Sequence, residues 1–92
     1  MMNDIKKLSA CLLLEIHNVI DESNGFIAFD LIKLAEKYNT SKAIVQETFN
    51  YLVNQDQIDL FTVRDDKRKV GVIYKKDPRR KKLLKHFEGL SK

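Results

Sequence analysis

Apolar residues recur at three- and four-residue steps through the start of the chain, which is the spacing of one face of an α-helix. The positions on this face are Ile5, Leu8, Leu12, Ile16 and Val19. Asn3 or Asp4 can cap the first turn, and Asn24-Gly25 provides a stop with a glycine for the left-handed cap. The pattern therefore predicts a first helix over residues 4–23.

The next thirty residues contain a short apolar run and two further helical patterns. Residues 26–28 are apolar and predict a minimal strand. A second helix is expected over about 30–38 and a third over 42–54, with Ser41 as the N-cap of the third. The inward positions are Leu31, Leu34, Ala35 and Tyr38 in the second helix and Val45, Phe49 and Leu52 in the third.

After residue 57 the helical spacing gives way to β-branched and aromatic residues. Residues 58–64 and 69–75 have the composition of strands, and the charged turn 65–68 separates them, so we predict a β-hairpin with a polar, basic tip. Asp77-Pro78 ends the second strand. A basic helix is expected over 79–90, with Leu83, Leu84, Phe87 and Leu90 on one side.

The segment from residue 34 to residue 45, LAEKYNTSKAIV, resembles the helix-turn-helix core of bacterial and archaeal regulators. The small Ala35 lets two helices cross closely, Asn39 suits a left-handed turn, and Val45 fills the angle between the helices. With the predicted strand and hairpin, the resemblance extends over residues 5–75. It implies an α+β winged helix-turn-helix fold in a single domain, 1–92: a three-helix core, a short strand, a two-stranded wing hairpin and an extra C-terminal helix.

Charge is distributed unevenly along the chain. Residues 1–63 carry five lysines and nine acidic residues, a net charge of −4, whereas residues 64–92 carry twelve basic and four acidic residues, a net charge of +8. Positive charge concentrated in the last third favours a polyanionic partner, and nucleic acid is the commonest one. The alternative is a solvated basic tail that binds nothing specific.

The resemblance implies a double-stranded DNA-binding protein, most simply a transcriptional regulator, with recognition helix 42–54 in the major groove and wing 58–75 on the backbone or minor groove. The outward positions of the recognition helix are Ser41, Lys42, Ala43, Gln46, Glu47 and Asn50. The wing contributes Arg64, Lys67, Arg68 and Lys69, and the basic run after it contributes Lys75, Lys76, Arg79, Arg80, Lys81 and Lys82. The alternatives are ordinary solvent-facing side chains on the helix and a basic run that only decorates a helix packed elsewhere.

Catalysis, metals and cofactors are not expected. Cys11 and His17 are six residues apart, which points them to different sides of a helix, and His86 is alone in its segment. We expect His17 on a helix surface and Cys11 in the core. The glycines are too scattered for a phosphate-binding loop, no nucleophile–base or paired-carboxylate arrangement stands out, and no small-molecule substrate is evident. The single cysteine and the lack of a signal or membrane segment favour a cytoplasmic, nucleoid-associated protein.

The apolar surface of the terminal helices suggests a homodimer. Cys11, Leu13 and Ile20 widen the apolar face of the first helix beyond what a three-helix core covers, and the last helix adds a second stripe. The alternative is a monomer whose last helix folds back onto its own first helix. A different functional class also stays open, a winged-helix protein-interaction module in a replication or transcription complex.

Overall fold

The computed structural model describes residues 4–63 and 66–90, with side chains up to residue 86. In these residues the chain forms four α-helices and one three-stranded antiparallel sheet, which confirms the predicted α+β class. The elements are α1 (Ile5–Ile20), β1 (Phe26–Asp30), α2 (Leu31–Lys37), α3 (Lys42–Asn54), β2 (Ile58–Thr62), β3 (Lys69–Tyr74) and α4 (Arg80–Leu90). No helix in this described part is long and apolar enough to cross a bilayer.

Three helices begin at a polar side chain that accepts hydrogen bonds from backbone amides of the first turn. Asp4 accepts from the amide of Lys7 in α1, and Ser41 accepts from the amide of Ile44 in α3. In α2 the Oδ1 of Asp30 accepts from the amides of Ile32 and Lys33. These amides have no partner within their own helix, so each capping side chain stabilises the N-terminal end of that helix. The predicted bounds of α3 and its Ser41 cap are confirmed.

The ends of α1 and α2 come earlier than the sequence predicts. α1 ends at Ile20, and the side chain of Ser23 then donates to the Ile20 carbonyl and accepts from the amide of Gly25. Gly25 has a φ of 94°, but it lies beyond this turn and leads into β1, so its expected role as the helix cap is wrong. α2 ends at Lys37.

β3 lies in the middle of the sheet, between β1 and β2. Phe26 of β1 pairs with Ile73 of β3, and Asp30 pairs with Lys69 at the other end of the ladder. β1 therefore continues past the predicted residues 26–28, because every residue up to Asp30 has a partner in β3. On the opposite side of β3, β2 begins with Ile58 paired to Tyr74.

The core lies between one face of the sheet and helices α1, α2 and α3. Its fully enclosed side chains include Leu8, Leu12, Ile16, Leu31, Val45, Phe49, Leu52, Ile58 and Val72. Cys11, Leu13 and Ile20 are half-buried and pack against this core, so part of the apolar surface that widens α1 is covered within the domain. Leu14 is the exception, because 61% of it is exposed.

The opposite face of the sheet has a smaller apolar cluster. Strand alternation puts Phe26, Gly71 and Ile73 on this face, and Ile73 is fully buried although it lies outside the main core. The ring of Phe26 lies directly over Gly71, where a methyl group would come within 2.1 Å of the ring. The Phe61 ring is next to it, with centroids 6.2 Å apart. The close approach of this ring explains the glycine in a central strand.

Candidate nucleic-acid interface

α3 separates its buried and exposed side chains cleanly. Val45, Phe49 and Leu52 point into the core, and so does Thr48, whose hydroxyl donates to the carbonyl of Ile44 at 2.7 Å. A buried hydroxyl satisfied within its own helix leaves the outer face undisturbed. Of the predicted outward positions, Lys42, Ala43, Glu47 and Asn50 are exposed, and Gln46 is half-buried beside them. The structure therefore brings these five predicted residues together on one helix.

Two predicted reading residues contact each other. The amide nitrogen of Gln46 donates to the Oδ1 of Asn50 over 3.4 Å, which is long for a hydrogen bond, so the pair separates easily. The oxygen of Gln46 and the nitrogen of Asn50 remain for other partners. Ser41 is different, because its hydroxyl already accepts the amide of Ile44 and caps α3.

The turn between α2 and α3 holds the two helices at a fixed angle. Asn39 has a φ of 51°, which confirms the predicted left-handed turn position. The amide of Thr40 then donates to the carbonyl of Ala35 at 2.9 Å. Ala35 and Val45 are both buried at the helix crossing, as their sizes predicted. The exposed face of α3 is therefore carried on a packed helix pair joined by a hydrogen-bonded turn.

A polar contact ties the end of α2 to α1. The Tyr38 hydroxyl donates to the Oε1 of Glu15 at 2.6 Å, and Lys37 forms an ion pair with the same carboxylate. These two hydrogen bonds hold the pKa of Glu15 below its ordinary value. Burial and the neighbouring carboxylate raise the pKa of Tyr38. Tyr38 is half-buried and packs against the core, which agrees with its predicted inward position.

The described part of the hairpin tip is basic and exposed. Lys67, Arg68 and Lys69 are all exposed, while Arg64 lies outside the described residues. Asp66 accepts the amide of Arg68 at 3.0 Å, which shapes the turn. Its carboxylate also reaches the guanidinium of Arg68 at 3.6 Å and the ammonium of Lys69 at 4.0 Å. Such exposed pairs contribute little to stability, so both cations can change partner.

The basic run after the hairpin divides into two groups. Lys76, Lys81 and Lys82 are exposed, as is Lys85. Lys75 forms an ion pair with Asp56, and Arg80 forms one with Asp59 through its Nε at 2.7 Å. The pKa of Asp56 is lowered by its lysine, and the pKa of Arg80 is raised by its aspartate. Charge alone does not distinguish these two groups.

Arg79 is the most extensively bonded member of this run. Its guanidinium donates to the carbonyl of Ser23 at 2.7 Å and to that of Ile20 at 3.1 Å, at the C-terminal end of α1. The third partner is Asp77, whose Oδ2 is 2.8 Å away and whose side chain is only 1% exposed. The arginine lowers the pKa of Asp77. Arg79 therefore joins the start of α4 to the end of α1, a contact that sequence reasoning missed.

The other titratable residues behave as ordinary structural side chains. His17 is exposed on α1 and meets the ring of Tyr74 edge-on at 5.0 Å, as a helix-surface histidine. Cys11 is half-buried against the core. Among the residues that the structure describes, no three His, Cys, Asp or Glu side chains are grouped to hold a metal ion.

Comparison of the chain with protein-family models gives no match, and comparisons with curated proteins and with solved structures give none at a significant level. A function for this protein can therefore be proposed only from its own fold and side chains. The features available for this are the free polar face of α3, the basic hairpin tip and the exposed lysines of α4.

Proposed function

We propose that the protein binds double-stranded DNA as a winged-helix transcriptional regulator, with α3 in the major groove and the β2–β3 hairpin along the backbone or in the minor groove. The observation that carries this proposal is the exposed polar face of α3, fixed by the left-handed turn at Asn39 and the buried Val45. A rigid helix with an unobstructed polar face fits the width of the major groove. DNA binding would imply a cytoplasmic, nucleoid-associated location.

The side chains on this face have the chemistry needed to read base edges. Gln46 and Asn50 carry amides that pair with adenine, and Lys42 can donate to guanine or to a phosphate. Glu47 can accept a hydrogen bond from the amino group of cytosine. Because Gln46 and Asn50 are four residues apart, both can address the same groove.

Affinity would come from exposed cations that contact phosphates. Six lysines and arginines with exposed side chains are suitable, namely Lys67, Arg68, Lys69, Lys76, Lys81 and Lys82. We leave Lys75, Arg79 and Arg80 out of this group, because their charges are paired with Asp56, Asp77 and Asp59. If ~6 phosphates are neutralised, the logarithm of the binding constant should fall against the logarithm of salt concentration with a slope of roughly −5.

The test compares a reading residue with a holding residue on a selected duplex, by fluorescence anisotropy over a series of salt concentrations. Gln46→Ala should weaken the preferred site by about 1–3 kcal/mol and relax its sequence choice without changing the salt slope. Arg68→Ala should weaken all duplexes about equally and make the slope shallower by about one. If Gln46→Ala and Asn50→Ala both leave every duplex unaffected, α3 does not read DNA.

A second candidate is a protein-interaction module within a replication or transcription complex. Two observations favour it: Lys42 and Glu47 balance each other in charge on the exposed face of α3, and Leu14 presents a large apolar side chain on α1. Proteins of this class do not need a basic reading surface. Failure to bind any duplex even at about 50 mM salt would exclude the DNA-binding proposal and favour this one.

A further inference from the structure

An open pocket of about 600 Å³ lies where β1 runs into α2, beside the first residues of β3. Its apolar floor includes Phe29 and Leu34. Three basic residues line it, Lys33 from α2 and both Arg68 and Lys69 from the hairpin. Cations from two separate elements thus converge on one concave site.

Backbone contacts hold these elements together around the pocket. The amide of Leu31 donates to the carbonyl of Arg68 at 2.7 Å, which joins the start of α2 to the hairpin. Asp30 is paired with Lys69 in the β1–β3 ladder. The segments that carry the three cations are therefore fixed by hydrogen bonds rather than by side-chain packing alone.

Two carboxylates lie near these cations. Asp30 lines the pocket, and its Oδ1 already accepts the amides of Ile32 and Lys33. Asp66 reaches Arg68 and Lys69 only at 3.6 Å and 4.0 Å, in exposed pairs that salt screens. Three cations against these two carboxylates still leave the site net positive, so it favours an anion.

We propose that this pocket holds one phosphate of the DNA backbone between Lys33 of α2 and Arg68 and Lys69 of the hairpin. The inference rests on the proposed DNA binding and deepens it, because it adds Lys33, which lies outside both the predicted recognition helix and the predicted wing. A phosphate shared by α2 and the hairpin would fix the orientation of the domain on the duplex, and with it the position of α3 in the groove.

The first test measures the salt dependence of duplex binding for the full chain and three variants. Lys33→Gln should make the slope shallower by about 0.9 and weaken binding by roughly five- to tenfold at about 100 mM salt. Lys33→Arg keeps the charge and should restore binding. Lys7→Gln removes an exposed lysine of α1 and serves as the matched control, with a smaller effect on the slope. Melting followed by far-UV circular dichroism checks that each variant is folded.

A second test asks whether Lys33 and Arg68 hold the same phosphate. Residues that share one ligand give non-additive losses, whereas independent contacts add. The combined loss for Lys33→Gln with Arg68→Gln should therefore be smaller than the sum of the two single losses. Lys33→Gln with Lys81→Gln should be additive. Additive losses in both pairs would overturn the shared site.

The outcomes separate this inference from the function on which it rests. If the unmodified protein binds duplex and Lys33→Gln behaves like Lys7→Gln, the pocket assignment is overturned while DNA binding stands. If the unmodified protein binds no duplex, the proposed function fails and the pocket assignment fails with it. A titration with inorganic phosphate, followed by the amide NMR signals of Lys33 and Lys69, distinguishes the source of the anion. Saturation by free phosphate, with duplex binding unaffected by Lys33→Gln, would overturn the backbone assignment.

Discussion

Replacement of Gly71 by alanine tests whether the glycine is present to make room for the ring of Phe26. The added methyl group would lie 2.1 Å from the Cζ of Phe26 and 2.5 Å from its Cε2, far inside van der Waals contact. The backbone of the central strand β3 is paired on both sides and cannot move away. The ring must therefore leave its position over the strand.

The size of the effect follows from what the displaced ring loses. Its pairing with Phe61, at 6.2 Å between centroids, contributes about 0.5–1.5 kcal/mol beyond buried area. Partial exposure of the ring removes roughly another 1–1.5 kcal/mol. Alanine is better than glycine in a strand by about 0.5–1 kcal/mol, which offsets part of this loss. The net expectation for Gly71→Ala is destabilisation by about 1–2 kcal/mol.

The decisive comparison uses a second background in which the ring is absent. In Phe26→Ala the ring that the methyl group at position 71 would strike is removed, so the strand preference dominates. Gly71→Ala should then stabilise the protein by about 0.5 kcal/mol, a reversal of sign. Urea unfolding followed by far-UV circular dichroism measures both effects. If the free energy of unfolding falls by about 1 kcal/mol per molar urea, a change of about 1–2 kcal/mol shifts the unfolding midpoint by about 1–2 M. Equal destabilisation in both backgrounds would refute the reasoning.

Two further predictions concern pH and assembly. Glu15 has its pKa held below the ordinary value of 4.5, so its contribution to stability is complete above that value and is lost as pH falls through the lowered pKa. The urea midpoint should fall on acidification below about pH 5, and less steeply in Glu15→Gln; parallel curves for the two proteins would contradict this. The homodimer expected from the sequence should sediment at twice 10.8 kDa, and Leu14→Lys should shift it to the monomer. Sedimentation of the unmodified protein at 10.8 kDa at micromolar concentration would exclude the dimer.

The features that the sequence predicted correctly depend on local interactions. The bounds of α3 follow from apolar spacing and from Ser41, whose side chain bonds a residue only three positions away. The left-handed conformation at Asn39 follows from the residue type and its place between two helices. The exposed face of α3 was predicted for the same reason, since a helix of known bounds has a known outer side.

The features that sequence reasoning missed depend on residues far apart in the chain. Arg79 bonds the carbonyl of Ser23, 56 positions earlier, and Arg80 bonds Asp59, 21 positions earlier. Net charge cannot show which cations are paired in this way. The pocket beside Lys33 was missed because it forms only when β1 and β3 pair in register. Asp77 had one local signal, since it lies two residues before Arg79 and accepts its amide.

The central place of β3 has a consequence for how the chain is made. β3 is synthesised after β1 and β2, and among the described residues both of those strands pair only with it. A growing chain that has not reached Lys69 therefore presents the backbone of two strands that lack their common partner. Unpaired strands of this kind favour association with other chains. Until Tyr74 has left the ribosome, α1, α2 and α3 can pack but the sheet cannot close, which makes the interval before β3 emerges the vulnerable stage.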